Sequence, residues 1–80
     1  MLKARVVVTL KPSILDPQGK AIEGALRSLG VEGVAGVRQG KVFDIEVDAQ
    51  TPEDAKQRLD LACEKLLANP IVETYAVEIA

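Results

Sequence analysis

The sequence contains no histidine and no tryptophan, and its only cysteine is Cys63. Without histidine, neither a Ser-His-Asp nor a Cys-His arrangement can form, which excludes the common nucleophilic hydrolase sites. A single cysteine cannot form an internal disulfide, and no Cys-x-x-Cys motif supports binding of a soft metal such as zinc. We therefore expect no catalytic residue, no metal site and a reduced, intracellular setting.

Aromatic residues, basic charge and long apolar runs are also scarce. Phe43 and Tyr75 are the only aromatic residues, whereas an RNA-binding sheet needs exposed aromatic side chains. The net charge is −2 and the pI is about 5.0, so no basic face for nucleic acid is expected. No apolar run approaches membrane-spanning length, and the first residues lack a signal-peptide cleavage pattern. These absences predict a soluble, cytoplasmic protein that binds neither nucleic acid nor membrane.

Aliphatic residues, in contrast, are abundant, and 48% of the 80 residues are hydrophobic. The length predicts one domain over residues 1–80. A chain of this size buries only about 60% of the surface that it exposes when unfolded. Because the chain is rich in apolar residues and has little interior, we expect it to associate with itself, as a dimer or a tetramer.

The first half of the chain predicts a strand followed by a helix. Apolar and polar residues alternate over residues 2–10, which is typical of a strand with one covered face. A helix is predicted over residues 17–29, because Asp16 can act as its N-cap and Pro17 suits the first helical position. Gly30 is expected to end this helix in the left-handed conformation.

The second half predicts a hairpin, a helix and a last strand. The hairpin pairs residues 34–38 with residues 41–48, and Gly33 and Gly36 leave the register of residues 33–38 open. A helix then runs from Pro52 to the Asn69-Pro70 pair, and a strand follows over residues 71–79.

The resulting order, βαββαβ, predicts an α+β fold. We expect a two-layer domain in which an antiparallel sheet carries both helices on one face, as in ferredoxin-like domains. The other sheet face or a sheet edge then remains available for dimerisation.

Two groups of charged residues have alternative interpretations. Asp44, Glu46 and Asp48 share one strand face and could hold a metal ion, although a solvated strand face is the favoured interpretation. Lys11 and Lys41 lie at strand ends, where they are either solvated or in contact with a partner.

Four segments together resemble the PurS family. They are Val-Thr-Leu-Lys at residues 8–11, Leu-Asp-Pro-Gln-Gly-Lys-Ala-Ile at residues 15–22, the hairpin Val-Arg-Gln-Gly-Lys at residues 37–41, and residues 63–75. The similarity covers essentially the whole chain in the right order. The family supplies the small subunit of phosphoribosylformylglycinamidine synthase, also called formylglycinamide ribonucleotide amidotransferase.

The resemblance implies a non-catalytic subunit of an ATP- and glutamine-dependent ligase complex in purine biosynthesis. A large synthetase subunit uses ATP and Mg, and a separate glutaminase subunit releases ammonia. The small subunit bridges them, assists ammonia transfer, forms dimers or pairs of dimers, and binds no cofactor itself. The residues that match family motifs are expected near subunit contacts; they are Lys11, Asp16, Gln18, Gly19, Lys41, Asn69, Glu73 and Tyr75.

Two other classes share the βαββαβ order. A small-molecule-sensing regulatory module of the ACT type is the main alternative, because such modules also dimerise. An acylphosphatase would need a phosphate-binding loop with Arg and Asn after the first strand, where this chain has Lys11-Pro12-Ser13. The enzyme alternative is therefore disfavoured.

Overall fold

A three-stranded antiparallel sheet forms the centre of the protein, which is described over residues 1–80 by a computed structural model. Its strands are β1 (Leu2–Leu10), β2 (Gly40–Val47) and β3 (Glu73–Ile79). The spatial order is β2-β1-β3, so β1 is the central strand and is antiparallel to both neighbours. The α+β class and the antiparallel sheet predicted from the sequence are confirmed.

Alternation along the strands separates a covered sheet face from an open one. Val6 is fully buried and lies between Phe43 of β2 and Val77 of β3 in the strand register. The open face carries polar residues between small apolar ones, and Arg5 Nε donates to Asp44 Oδ1 there at 2.9 Å. The acidic face of β2 therefore corresponds to the favoured interpretation, a solvated strand face.

Helix α2 (Pro52–Ala62) covers the sheet from one side. Thr51 caps it, because its hydroxyl oxygen accepts from the Asp54 N–H at 3.1 Å. The helix continues into a single π-helical turn, Cys63–Leu67, in which the Ala68 N–H donates to the Cys63 carbonyl oxygen. The buried apolar cluster combines this helix with the covered sheet face; its members are Ala4, Val6, Val8, Val47, Ala55, Leu59, Cys63 and Ala68.

Helix α1 (Pro17–Ser28) has the predicted start and end. Asp16 is the N-cap and Pro17 is the first helical residue. Gly30 has a φ of 83°, and the Val31 N–H donates to the Leu26 carbonyl oxygen at 3.0 Å. This six-to-one hydrogen bond is the Schellman motif, in which a left-handed glycine closes the helix.

The predicted strand over residues 34–38 is wrong, because these residues form neither a strand nor half of a hairpin. Gly33 has a φ of 88°, which interrupts an extended conformation, and the chain instead returns alongside α1. The return is so close that a Cβ at Gly19 would overlap the Val37 carbonyl oxygen. Residues 16–39, which comprise α1 and this return segment, are called the arm below.

The arm does not pack on its own sheet. None of its residues belongs to the buried apolar cluster or to the half-buried side chains packed against that cluster. The sequence predicted both helices on one sheet face, but in this chain only α2 lies against the sheet. The molecule is elongated as a result, with extents of 49 × 25 × 15 Å.

None of the helices combines the length and the apolar character that a membrane crossing requires.

The two glycines of α1 provide a matched pair of stability tests. We expect Gly19→Ala to destabilise the protein by about 1–3 kcal/mol, because the new methyl group meets the backbone of Val37. Gly24→Ala should stabilise it by up to about 1 kcal/mol, because Ala favours the helix and nothing lies within 4 Å of the added Cβ. Urea unfolding followed by circular dichroism at one protein concentration measures both. Equal stability of Gly19→Ala and the unmodified chain would contradict the close approach.

Candidate partner-binding site

A buried carboxylate joins the two ends of the arm. Asp16 is only 4% exposed, and its two oxygens accept backbone hydrogen bonds from opposite ends of the arm. Oδ1 accepts from the Gly19 N–H at 2.9 Å, and Oδ2 accepts from the Gln39 N–H at 2.7 Å. The Gln39 and Gly19 N–H groups, with help from the Arg38 guanidinium, lower the pKa of Asp16 below its ordinary value of 3.8. Asp16 is therefore ionised at neutral pH.

An arginine makes a second connection between the arm and the sheet. Arg38 Nη2 donates to the Lys11 carbonyl oxygen at 2.9 Å and lies 3.5 Å from that of Leu10. These two carbonyl groups belong to the end of β1 and the residue that follows it. Asp16 and Arg38 thus hold the outgoing and returning chains of the arm against one end of the sheet, and we call this pair the clasp.

A third charged group lies beside the clasp on the covered sheet face. Lys41 Nζ is 3.7 Å from Glu73 Oε2, across the end of β1. Glu73 Oε1 accepts from the Asn69 N–H at 2.7 Å, which fixes the turn that leads into β3. The lysine side chain remains 59% exposed, so this ion pair contributes little to stability and leaves the ammonium group accessible.

These groups surround one cleft at this end of the sheet. Its volume is about 340 Å³, and it is lined by Val8, Leu10, Asp16, Gln18, Gln39, Gly40, Lys41 and Glu73. Four of the eight residues that the sequence predicted near subunit contacts are among them, namely Asp16, Gln18, Lys41 and Glu73. A larger cleft of about 530 Å³ at the other end of the sheet contains none of the eight.

The other four predicted residues are not among those that line this cleft. The Lys11 N–H donates to Val72 at 2.8 Å, and Gly19 and Asn69 contact the cleft residues Asp16 and Glu73 through their backbones. Tyr75 also lies on the covered face, where it is opposite the cleft residue Val8 in the strand register. Its hydroxyl pKa is raised by burial and by the nearby carboxylates of Asp60 and Glu64. The structure thus brings four of the eight residues into one cleft, and Gly19 and Asn69 are hydrogen-bonded to two of these four.

Sequence reasoning missed Arg38 and Gln39, which complete the clasp. The sequence predicts that both residues belong to a hairpin, where their side chains and backbone N–H groups would serve a local turn. No signal in the sequence identifies them, because the burial of Asp16 that calls for a second donor is visible only in the structure. A capping carboxylate has a second oxygen that needs a donor once it is removed from water.

The site offers polar contacts and no reactive group. Cys63 is fully buried, and burial raises the pKa of its thiol, so it is a poor nucleophile. No group of three or more His, Cys, Asp or Glu side chains is placed to hold a metal ion. What remains accessible is a set of charged side chains around a cleft, and such a set is suited to contact another macromolecule.

Comparison with known proteins identifies the family. The family model described as "PurS: Phosphoribosylformylglycinamidine (FGAM) synthase" matches residues 3–80. The chain belongs to the PurS family. A curated relative from Mycobacterium leprae, phosphoribosylformylglycinamidine synthase subunit PurS, is 47% identical over 77 residues, which make up 96% of this chain and 94% of the relative.

Solved PurS structures share the fold over the full length. The crystal structure of Methanocaldococcus jannaschii PurS, described as a subunit of formylglycinamide ribonucleotide amidotransferase in the purine biosynthetic pathway, has a TM-score of 0.92 at 36% identity. The match covers 100% of this chain and 96% of that one. A chain in the structure of PurLQS from Thermotoga maritima has a TM-score of 0.91 at 37% identity and covers 99% of this chain and 96% of its own length.

The resemblance to the PurS family that was found in the sequence is therefore confirmed over residues 3–80. The curated relatives are named as subunits of one ligase, and the sensor alternative finds no support among them. The match to the Methanocaldococcus jannaschii chain covers 100% of this chain, so it includes the arm as well as the sheet.

The lowered pKa of Asp16 predicts in which direction the stability of the folded protein changes with pH. A carboxyl group with a lower pKa in the folded state stabilises that state above its unfolded pKa, and the contribution disappears as the pH falls through the folded pKa. Asp16→Asn keeps a capping oxygen but loses the charge, so it should lower the Tm at pH 7. The difference from the unmodified chain should shrink below pH 3.8. Thermal unfolding from pH 7 to pH 2 measures it, and a difference independent of pH would contradict the charged clasp.

Proposed function

We propose that this PurS chain is the non-catalytic small subunit of phosphoribosylformylglycinamidine synthase in purine biosynthesis. In this role it bridges the glutaminase and the synthetase and assists transfer of ammonia between them. The full-length similarity to PurS chains, one of them from a PurLQS structure, is the observation that carries the proposal. The buried thiol of Cys63 and the lack of histidine also favour this proposal, because a non-catalytic subunit needs no reactive side chain.

The chemistry of the complex is assigned to the other two subunits. The reaction joins nitrogen from glutamine to formylglycinamide ribonucleotide with consumption of ATP. The synthetase uses the ATP and Mg, and this chain binds neither. The proposed setting is the cytoplasm, where the chain also associates with itself as a dimer or a pair of dimers.

The cleft at the clasp end of the sheet is the proposed contact with a partner subunit. Lys41 has an exposed side chain beside the cleft, and Lys11 forms no ion pair within the chain. Asp16 and Arg38 act behind these side chains by holding the backbone that presents them. Gln18, Gly19, Asn69 and Glu73 complete the proposed contact, with Tyr75 on the neighbouring covered face.

Reconstitution tests the role in the complex. The synthetase and glutaminase from the same organism are mixed with and without this chain, and glutamine-dependent formation of formylglycinamidine ribonucleotide is measured. We expect product from glutamine only when the chain is present. With ammonium chloride as the nitrogen source, the synthetase should need the chain much less, because no transfer between subunits is involved. Equal glutamine-dependent activity in both mixtures would overturn the bridging role.

Alanine substitutions test the contact itself. Lys11→Ala and Lys41→Ala should each weaken binding to the partner subunits by about tenfold, because each removes a charge from the proposed interface. Lys3→Ala is the matched control, since Lys3 is an exposed lysine at the opposite end of β1. Dissociation constants from interferometry measure the effect. If all three variants bind like the unmodified chain, the cleft is not the contact.

A further inference from the structure

Two opposite charges line the cleft at the clasp end of the sheet without forming a hydrogen bond to each other. Lys41 Nζ and Glu73 Oε2 are 3.7 Å apart, which is longer than a hydrogen bond between such groups. The Glu73 side chain is 15% exposed, and its other oxygen, Oε1, accepts from the Asn69 N–H. One ammonium group and one largely buried carboxylate oxygen therefore remain free to bind a further group.

Two side-chain amides line the same cleft and are also free. They belong to Gln18 and Gln39, and neither side chain takes part in a hydrogen bond within the chain. The contribution of Gln39 to the clasp is made by its backbone N–H. Because a side-chain amide has both donors and an acceptor, the polar part of the cleft offers groups of both kinds.

The size of the cleft and its apolar lining suit a side chain rather than a single water molecule. The volume is about 340 Å³, whereas one water molecule takes up about 30 Å³. Val8 is fully buried and Leu10 is half-buried, so both offer aliphatic surface for methylene groups. Asp16 also lines the cleft, but both of its oxygens already accept backbone hydrogen bonds. The groups left for an occupant are therefore Lys41, Glu73 and the two amides.

The separation of Lys41 Nζ and Glu73 Oε2 matches the dimensions of a primary carboxamide. The oxygen and nitrogen atoms of such a group lie about 2.3 Å apart. Its oxygen can accept from Lys41 and its nitrogen can donate to Glu73, both at about 2.9 Å, across the gap of 3.7 Å. A carboxylate in this place would face the like charge of Glu73, and an ammonium or guanidinium group would face that of Lys41. A neutral group that both donates and accepts is the best match.

We propose that the cleft binds the side-chain carboxamide of an Asn or Gln residue of a partner subunit. The amide bridges Lys41 and Glu73, and its methylene groups contact Val8 and Leu10. The proposal rests on the proposed function, because it names the group that enters the cleft already assigned to the contact. It also gives Glu73 a role in specificity, since its carboxylate disfavours an acidic side chain in the same place.

Neutral substitutions of the two charged residues test the proposal by the sign of their effects. Lys41→Met removes the donor, and Glu73→Gln replaces the free acceptor with an N–H group while an oxygen remains for the Asn69 N–H. We expect each to raise the dissociation constant of the complex with the partner subunits by about tenfold, because each leaves half of the bound amide unpaired. Interferometry measures binding, and circular dichroism checks that both variants fold.

Other occupants of the cleft would give other signs. If the partner inserted an acidic side chain, Glu73→Gln would bind more tightly than the unmodified chain, because the substitution removes a like charge. If the partner inserted a basic side chain, Lys41→Met would bind more tightly for the same reason. Either result would overturn the proposal, and so would unchanged binding by both variants.

Matched controls come from the opposite end of the sheet. Lys3→Met and Glu78→Gln make the same two changes at exposed residues that line the other cleft, and both should bind like the unmodified chain. Titration of the isolated chain with free glutamine, followed by NMR, tests the source of the carboxamide. We expect no saturation at about 1 mM, because one amide with so few contacts gives little affinity on its own. Saturation at that concentration would make free glutamine the occupant and overturn the assignment to a partner residue.

Failure of the proposed contact and failure of the carboxamide assignment give different results. If Lys11→Ala and Lys41→Ala bind the partner subunits like the unmodified chain, the cleft is not the contact and both proposals fail. If these two variants bind more weakly but Glu73→Gln binds more tightly, the contact stands and only the carboxamide assignment fails.

Discussion

The Asp16 carboxylate sets the geometry on which the remaining structure depends. It has been removed from water, so both of its oxygens need donors, and the two donors lie at opposite ends of a 24-residue arm. One oxygen starts helix α1 and the other brings the return segment to the same point. Arg38 then attaches this junction to the end of β1. These hydrogen bonds hold the two ends of the arm together and attach them to the end of β1.

This arrangement suits a subunit whose role is contact. The chain has no histidine, its thiol is buried, and its accessible charged groups surround a cleft. Membership of the PurS family supplies the chemical context, in which relatives are named as subunits of a ligase. A scaffold in such a complex needs surfaces rather than reactive groups. The structure offers a charged cleft at one end of the sheet and exposed apolar side chains on the arm, among them Leu29 and Val31.

Much of the fold and the site could be predicted from particular residues. The alternation of apolar and polar residues in β1 predicted that Val6 and Val8 lie on one sheet face and Arg5 on the other. The strand register, in which Val6 pairs with Phe43 and Val77, confirms this prediction. Local capping rules placed both helix starts and the end of α1 at Gly30. Four of the eight residues predicted near subunit contacts, namely Asp16, Gln18, Lys41 and Glu73, line one cleft. The prediction that they contact partner subunits rests on the family resemblance, and the geometry places them together without naming the partner.

What the sequence determined by itself was local, because capping, alternation and the left-handed glycine depend on residues within a few positions of each other. It also determined the family and excluded catalysis by histidine, whereas the burial of the Cys63 thiol was shown by the structure. Only the tertiary structure decided that residues 34–38 leave the sheet and follow α1, because the deciding contacts join residues far apart in the chain: Asp16 with Gln39, Gly19 with Val37, and Arg38 with Lys11. A buried carboxylate accepts hydrogen bonds from the donors that lie near it in three dimensions. The sequence alone does not show which residues those donors belong to.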